Sequence, residues 1–253
     1  MIPKILHYCW LSGDSKPKNI IGCMESWQKT MPDYEIKCWD TTNFDTNINA
    51  FVSEAYSLRK WAFAADYIRL WVLYNEGGIY LDSDVLVLKR FDEFLKYEFF
   101  SSVEYHKNLV KKEESLKYLD SDGTRRKEKS NISGIGIQAA VLGSVKNNQY
   151  VKACMNYYEN RHFILEGNEL NNNIIAPDIY AMTAEEYGFK YKDEMQQLGN
   201  NMVIMPSYVF ASSPEIAKKD SYAIHYCVGS WRDKPKESGL RNIFKRIKSY
   251  FYR

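Results

Sequence analysis

Cysteine occurs in no useful pattern. The five cysteines, Cys9, Cys23, Cys38, Cys154 and Cys227, are odd in number and scattered, with no C-x-x-C pair. That argues against a disulfide framework and a cysteine zinc site, and it fits reduced thiols in a cytosolic protein. An excess of one charge is also missing. The 34 Lys and Arg nearly balance the 32 Asp and Glu, for a formal net charge of +2, which argues against a general nucleic-acid binder. No apolar run reaches spanning length, no signal-peptide pattern is read, and no internal repeat is visible. Gly134-Ile135-Gly136 is a G-x-G, but no third glycine followed by a helix completes the dinucleotide pattern, so a Rossmann cofactor site is not expected.

What is present starts with size. A chain of 253 residues, 45% hydrophobic, suffices for one large domain with a substantial core. Aromatics are abundant, with 20 Tyr and 6 Trp. They suit ligands such as bases and sugar rings, although many will be core. The stretch around which the rest is organised is Gly77-Gly78-Ile79-Tyr80-Leu81-Asp82-Ser83-Asp84-Val85-Leu86-Val87-Leu88. It reads as a buried strand after a double glycine, with Asp82 and Asp84 two residues apart and so on one face. A charge pair in an apolar strand is costly unless compensated. A divalent cation held by one or two carboxylates, water and substrate phosphates is the simplest compensation. The plainer alternative is two exposed carboxylates at a strand end with no metal.

Around that stretch the chain alternates strands and helices. Ile5 to Trp10 predicts a first core strand, and Trp10 stands where it stops, as ligand contact or as core. His7 is expected in the core. A helix is expected from Asn19 to Thr30 and a strand from Tyr34 to Trp39. Glu54 to Glu76 is the strongest helical pattern, with Leu58, Trp61, Ala62, Ala65, Arg69 and Val72 at spacings of three and four and Gly77 as C-cap. Asp66 and Arg69 share a face of it, as a surface ion pair or as ligand contacts. Residues 106–131 read as a mobile, charged insertion, either a solvated loop or an acceptor-binding flap. Helices follow from Tyr150 to Asn160 and from Ile179 to Tyr187, with Asp178 in the loop before the second. A last strand from Tyr222 opens into Gly229-Ser230-Trp231 and carries His225, structural or ligating. The tail has an apolar stripe of Leu240, Ile243, Phe244, Ile247 and Phe251 flanked by Arg241, Lys245, Arg246 and Lys248. Such a helix either lies on an anionic membrane or docks on its own domain.

Ile2-Pro3-Lys4-Ile5-Leu6-His7-Tyr8-Cys9-Trp10-Leu11-Ser12-Gly13, then Ala65-Asp66-Tyr67-Ile68-Arg69, then Gly77 to Asp84, resemble the DXD-containing sugar transferases. That group includes yeast mannan-initiating mannosyltransferases and bacterial capsular polysaccharide transferases. More distantly, the chain is similar to the glucosyltransferase domain of large clostridial toxins. The match covers the chain to about residue 90 and again His225 to Trp231. The resemblance implies an α/β fold of the GT-A nucleotide-sugar type. Its mixed, mostly parallel central sheet would be flanked by helices, in a single domain over 1–237, followed by the C-terminal amphipathic helix over 238–253.

The resemblance also implies roles. Trp10 would stack on the base, with Asp66 and Arg69 at the ribose, sugar or phosphates and Tyr80 by the diphosphate. Asp82 would contact ribose or sugar and share the metal, Asp84 would be its principal ligand, and His225 would complete its shell. Ser230 and Trp231 would close over the diphosphate. Gln138-Ala139 stands where an asparagine-containing acceptor segment is expected, so the group facing the reacting carbon stays open, with Gln138 and Asp178 as acceptor-side candidates. The implied activity is metal-dependent retaining transfer of a hexose or N-acetylhexosamine from a UDP-sugar. The expected acceptor is a lipid-linked glycan, in capsular or other cell-surface polysaccharide synthesis. A nitrogen ligand favours Mn²⁺ over Mg²⁺. The expected location is the cytoplasm, peripheral on the inner face of the plasma membrane, and no nucleic-acid partner is expected. The alternatives are a toxin-like protein glycosyltransferase, a D-x-D phosphohydrolase, or a non-catalytic carbohydrate-binding module.

Overall fold

The structure, a computed structural model, describes residues 1–227. The amphipathic tail, Ser230 and Trp231 lie outside the described residues. In chain order the elements are β1 (Ile5–Cys9), α1 (Lys18–Thr30), β2 (Glu35–Trp39), α2 (Ala50–Ser57), α3 (Trp61–Glu76), β3 (Gly78–Leu81), β4 (Val85–Val87) and β5 (Phe99–Tyr105). There follow α4 (Lys107–Lys112), β6 (Ile135–Ile137), β7 (Val141–Ser144), α5 (Gln149–Glu159), α6 (Ala176–Ala184), β8 (Gln196–Leu198), β9 (Met202–Met205), β10 (Phe210–Ala211) and β11 (Ala223–His225).

The main sheet has the order β2-β1-β3-β7-β5-β9-β8, with β6 paired to β5. Strands β1, β2, β3, β5 and β9 run one way, and β6, β7 and β8 run the other. This is the mixed, mostly parallel sheet flanked by helices that was expected. A small second sheet, β10-β11-β4, stacks on it. Successive residues of β3 serve opposite cores, as strand pleating requires. Tyr80 joins the cluster beneath α2, α3, α5 and α6, whereas Ile79 and Leu81 join the one beneath α1 and the second sheet.

Two elements differ from the sequence expectation. The long helix from Glu54 is two helices, α2 and α3, parted at Leu58–Lys60, where Arg59 takes a positive φ of 55°. No Gly or Pro announces the break. Tertiary contacts impose it: the Glu54 carboxylate accepts the backbone N–H groups of Phe163 and Ile164 at 2.7 and 2.8 Å, and Tyr56 packs on Trp61 with centroids 5.0 Å apart. The second difference concerns the acidic stretch. It is not one strand but a turn between β3 and β4, closed by the Val85 N–H donating to the Asp82 carbonyl at 3.0 Å. The apolar run continues through it because Val85 and Val87 enter the second sheet, whose edge β4 is clamped by α1. Trp27 Nε1 donates to the Val85 carbonyl at 2.7 Å, and the Val87 N–H donates to Ser26 Oγ at 2.9 Å. Residues 106–131 hold α4, a short 3₁₀ turn at Ser115–Tyr118 and a bridge between Leu119 and Arg125.

The double glycine has a steric cause. Gly78 has φ +108°, and a Cβ there would lie 2.8 Å from both His7 Nε2 and the Ile5 carbonyl. His7 is fully buried beside it, as expected of a core histidine. Its Nε2–H donates to the Gly77 carbonyl at 2.8 Å, and its Nδ1 accepts from Trp39 Nε1 at 3.1 Å. Burial pushes its pKa down, so the ring stays neutral in that one tautomer. Gly78→Ala is therefore expected to cost on the order of 1–3 kcal/mol through strain and loss of the His7 bond, read as a lowered urea midpoint. An unchanged midpoint would show that the glycine is not required.

Candidate functional site

The sheet order contains a switch point. From β1 the chain crosses through α1 to β2 on one side, then through α2 and α3 to β3 on the other. The crevice outside the carboxyl ends of β1 and β3 is where open α/β sheets bind ligands. Trp10 ends β1 and Asp82 ends β3, in strands whose register pairs His7 with Tyr80. Trp10 is half-buried in the loop after β1, neither a core residue nor fully exposed. Its Nε1 donates to the Asp14 carbonyl at 2.7 Å, and Lys16 Nζ stands 5.2 Å from the ring centroid.

The turn brings Asp82, Asp84 and His225 together. One ligand atom from each lies within 4.8 Å of the others, the one such group among the described residues. His225 Nε2 is 3.1 Å from Asp84 Oδ1 and 3.9 Å from Asp82 Oδ2. Antiparallel pairing of β11 with β4, with His225 opposite Val85, sets this approach. Burial opposes charge on the imidazole, but the Asp84 carboxylate outweighs it and holds the pKa well above the ordinary value. A protonated His225 thus carries a positive charge where a cation would sit. Two carboxylates and an imidazole suit a divalent ion such as Mn²⁺, and loading it requires the ring to give up that proton. Cys227 Sγ lies 3.3 Å from His225 Nδ1 and donates to the Ser212 carbonyl at 3.1 Å, on the side of the ring away from the carboxylates. An H-x-C spacing was the signal for this contact, and sequence reasoning passed over it.

Arg69 underlies the turn. It is 3% exposed, so it is no surface ion pair. Its Nη2 lies 3.0 Å from Asp66 Oδ1 and 3.5 Å from Asp82 Oδ1. Nη1 donates to the Ala139 carbonyl at 2.7 Å, Nε donates to the Ala65 carbonyl at 3.1 Å, and the guanidinium stands over the Tyr80 ring at 4.9 Å. Tyr80 is buried as well, and its hydroxyl donates to Asp82 Oδ1 at 3.0 Å. Arg69 and Tyr80 therefore aim Asp82. Asp66 is pushed up to about 7, by burial first, with Arg69 opposing and the Asp82 and Glu104 carboxylates adding to the rise.

The acceptor-side candidates part company. Gln138 is fully buried, its Nε2 donating to Ser102 Oγ at 2.5 Å and to the Phe210 carbonyl, so it does not face a ligand. The sequence placed it correctly in the chain but had no way to show that it braces β5 against the second sheet. Asp178 lies not in a loop but in the first turn of α6, where its Oδ2 accepts from Asn131 Nδ2 at 3.1 Å and from the Ile175 N–H at 3.4 Å. It borders a cleft shared with Glu104, which sequence reasoning missed because a single acid late in a strand carries no local signal.

Residues 17–101, about a third of the chain, match the family described as glycosyltransferase sugar-binding region containing DXD motif. Inositol phosphoceramide mannosyltransferase 3 of Schizosaccharomyces pombe is 32% identical over 104 residues, 38% of this chain and 28% of that one. An uncharacterised glycosyltransferase of Acanthamoeba polyphaga mimivirus is 33% identical over 115 residues, 43% of this chain and 46% of that one. The chain thus spans under half the length of these curated relatives. Among solved structures, the PaToxG glycosyltransferase aligns with a TM-score of 0.47 at 16% identity, over 73% of this chain and 69% of that one.

The raised Asp66 predicts a pH dependence. The folded protein holds this proton above the ordinary value of 3.8. Stability from this group is therefore full at low pH and falls as pH rises toward 7, by up to about 1.4 kcal/mol per pH unit. Asp66→Asn should remove that slope and make the metal-free protein relatively more stable above pH 7. Urea midpoints of both proteins between pH 5 and 8 check this, and parallel slopes would contradict it.

Proposed function

We propose that this DXD glycosyltransferase region serves a metal-dependent, retaining transferase of GT-A type that moves a hexose or N-acetylhexosamine from a UDP-sugar to a glycan. The observation that carries the reading is the Asp82–Asp84–His225 group at the switch point, a few residues from Trp10 on the neighbouring strand. A phosphohydrolase would use the first Asp as an open nucleophile, whereas here Asp82 is held by Arg69 and Tyr80. A carbohydrate-binding module has no need of two carboxylates and an imidazole converging on one point.

In this reading the indole of Trp10 supports the base. Asp82 and Asp84 would hold the cation with His225 Nε2, the buried Arg69 and Tyr80 keep Asp82 in place, and Asp66 lies toward ribose or sugar. The bound cation neutralises the charge that develops on the leaving diphosphate. Retention by front-face attack is proposed, since Asp66, the other carboxylate beside the turn, is engaged by Arg69. Asp178, pushed up to about 6 by burial, is proposed as an acceptor-side residue. The acceptor is proposed to be a lipid-linked glycan of cell-surface polysaccharide synthesis, met at the inner face of the membrane through the basic amphipathic tail. No helix of the described residues is long and apolar enough to cross a membrane.

Calorimetry with UDP tests the donor half. Affinity is expected to fall at least about tenfold when chelator replaces Mn²⁺, and likewise in Asp84→Asn, since truncating one metal ligand leaves the others unable to hold the ion. Mn²⁺ affinity itself should rise with pH, because His225 must lose a proton. Equal UDP affinity with and without the cation would overturn the proposal. Trp10→Ala should weaken UDP binding by about 1–3 kcal/mol with little change in melting temperature. A large melting shift with unchanged affinity would make Trp10 a packing residue instead.

A further inference from the structure

The acidic turn is not the only open ground at this edge of the sheet. A cleft of about 180 Å³ lies where the end of β5, β6, α4 and the N-terminus of α6 meet. It is close to the turn. The Glu104 carboxylate adds to the raised pKa of both Asp66, beside the turn, and Asp178, in the cleft. β6 then runs directly into Ala139, whose carbonyl accepts from Arg69.

The lining has a definite chemistry. Glu104 Oε1 meets His106 Nε2 at 2.8 Å, and Asp178, 9% exposed, is oriented by Asn131 and the Ile175 N–H. Beside these polar groups stand Leu109 and Ile175, both exposed apolar side chains, with Pro177. Among the described residues, no Lys or Arg lines the cleft. The approach of α6 is built in: a Cβ on Gly136 would lie 2.7 Å from the Pro177 carbonyl, so only glycine lets β6 and α6 close this wall.

Carboxylates and amides that accept and donate to hydroxyls, set beside apolar patches that take ring C–H groups, are the chemistry of a sugar ring. The volume equals about six waters and falls below the range of drug-sized pockets, which suits one ring rather than an oligosaccharide. Two carboxylates with no facing Lys or Arg disfavour an anionic sugar. We propose that this cleft is a monosaccharide subsite that binds a neutral pyranoside unit of the acceptor and rejects uronic acids and sugar phosphates. The inference rests on the glycosyltransferase reading for the word acceptor, but the binding site itself stands on the cleft.

Saturation-transfer NMR on the folded protein tests it, with the methyl pyranosides of glucose, galactose, mannose and N-acetylglucosamine and the methyl glycoside of glucuronic acid, at millimolar concentration. At least one neutral glycoside is expected to give a saturable signal, and the glucuronide none. The signal should fall at least about fivefold in Asn173→Trp, which fills the rim from an exposed loop, and in Glu104→Gln. Binding of UDP with Mn²⁺, measured by calorimetry on the same samples, should be unchanged in both variants. Absence of any neutral-glycoside signal, equal binding of the glucuronide, or full retention of the signal in both variants would each overturn the subsite. Failure of the enzyme reading shows separately, as loss of cation-dependent UDP binding in the unaltered protein.

Discussion

A guanidinium with almost no water around it holds the site together. Arg69 sits in the middle of α3, and each of its three nitrogens already faces an oxygen: the Ala65 carbonyl on its own helix, the Ala139 carbonyl across the sheet, and the carboxylates of Asp66 and Asp82. Burial alone would disfavour its charge, but the two acids and the Tyr80 hydroxyl reverse that and raise its pKa well above the ordinary value. Such a group is strongly positional. Removing one member of a buried ion pair costs about 3–5 kcal/mol, because the others are left charged and unpaired. The helix, the start of β7 and the acidic turn are therefore held in one geometry by one side chain.

That geometry sorts three nearby acids into different work. Asp82 has Arg69 and Tyr80 on one side and His225 Nε2 3.9 Å away on the other. Asp84 stands against His225, its Oδ1 3.1 Å from Nε2. Asp66 shares Arg69 Nη2 with Asp82, and burial raises it to about 7. Three carboxylates within a few residues' reach would repel one another in an unstructured chain. Here Arg69 supplies the opposite charge to Asp66 and Asp82, and protonated His225 supplies it to Asp84.

The turn at 82–84 shows why an acidic pair can interrupt an apolar run so cheaply. A continuous strand would have carried both carboxylates on one buried face. Leaving one sheet and entering another at that point lets Asp82 and Asp84 stay at the sheet edge. The hydrophobic residues on either side still bury completely, Ile79 and Leu81 in the main sheet and Val85 and Val87 in the small one. The cost is an exposed edge strand, β4, and α1 removes it through Trp27 and Ser26.

Local pattern was enough for the alternation of strands and helices, for the glycine after α3, for the buried His7 and for the acidic turn as the centre of interest, since periodicity and chirality act within a few residues. The matching family region, residues 17–101, holds that turn and the Asp66–Arg69 pair, so the most legible part of the site was the part encoded in one short stretch. What the sequence could not decide depends on residues far apart in the chain. The break between α2 and α3 comes from Glu54 reaching Phe163 and Ile164, more than a hundred positions away. The split of the acidic strand comes from β11, which pairs with β4 across a similar span and delivers His225. Gln138 looked available because it stands where the resemblance leads one to expect an acceptor-side asparagine, but contact with Ser102 and Phe210 buries it. The meeting of Glu104 with Asp178 follows only from the packing of α6 on β6. Periodicity states which face of an element is apolar, but the partner of that face is chosen by the sum of all the packing, and sequence carries no local record of it.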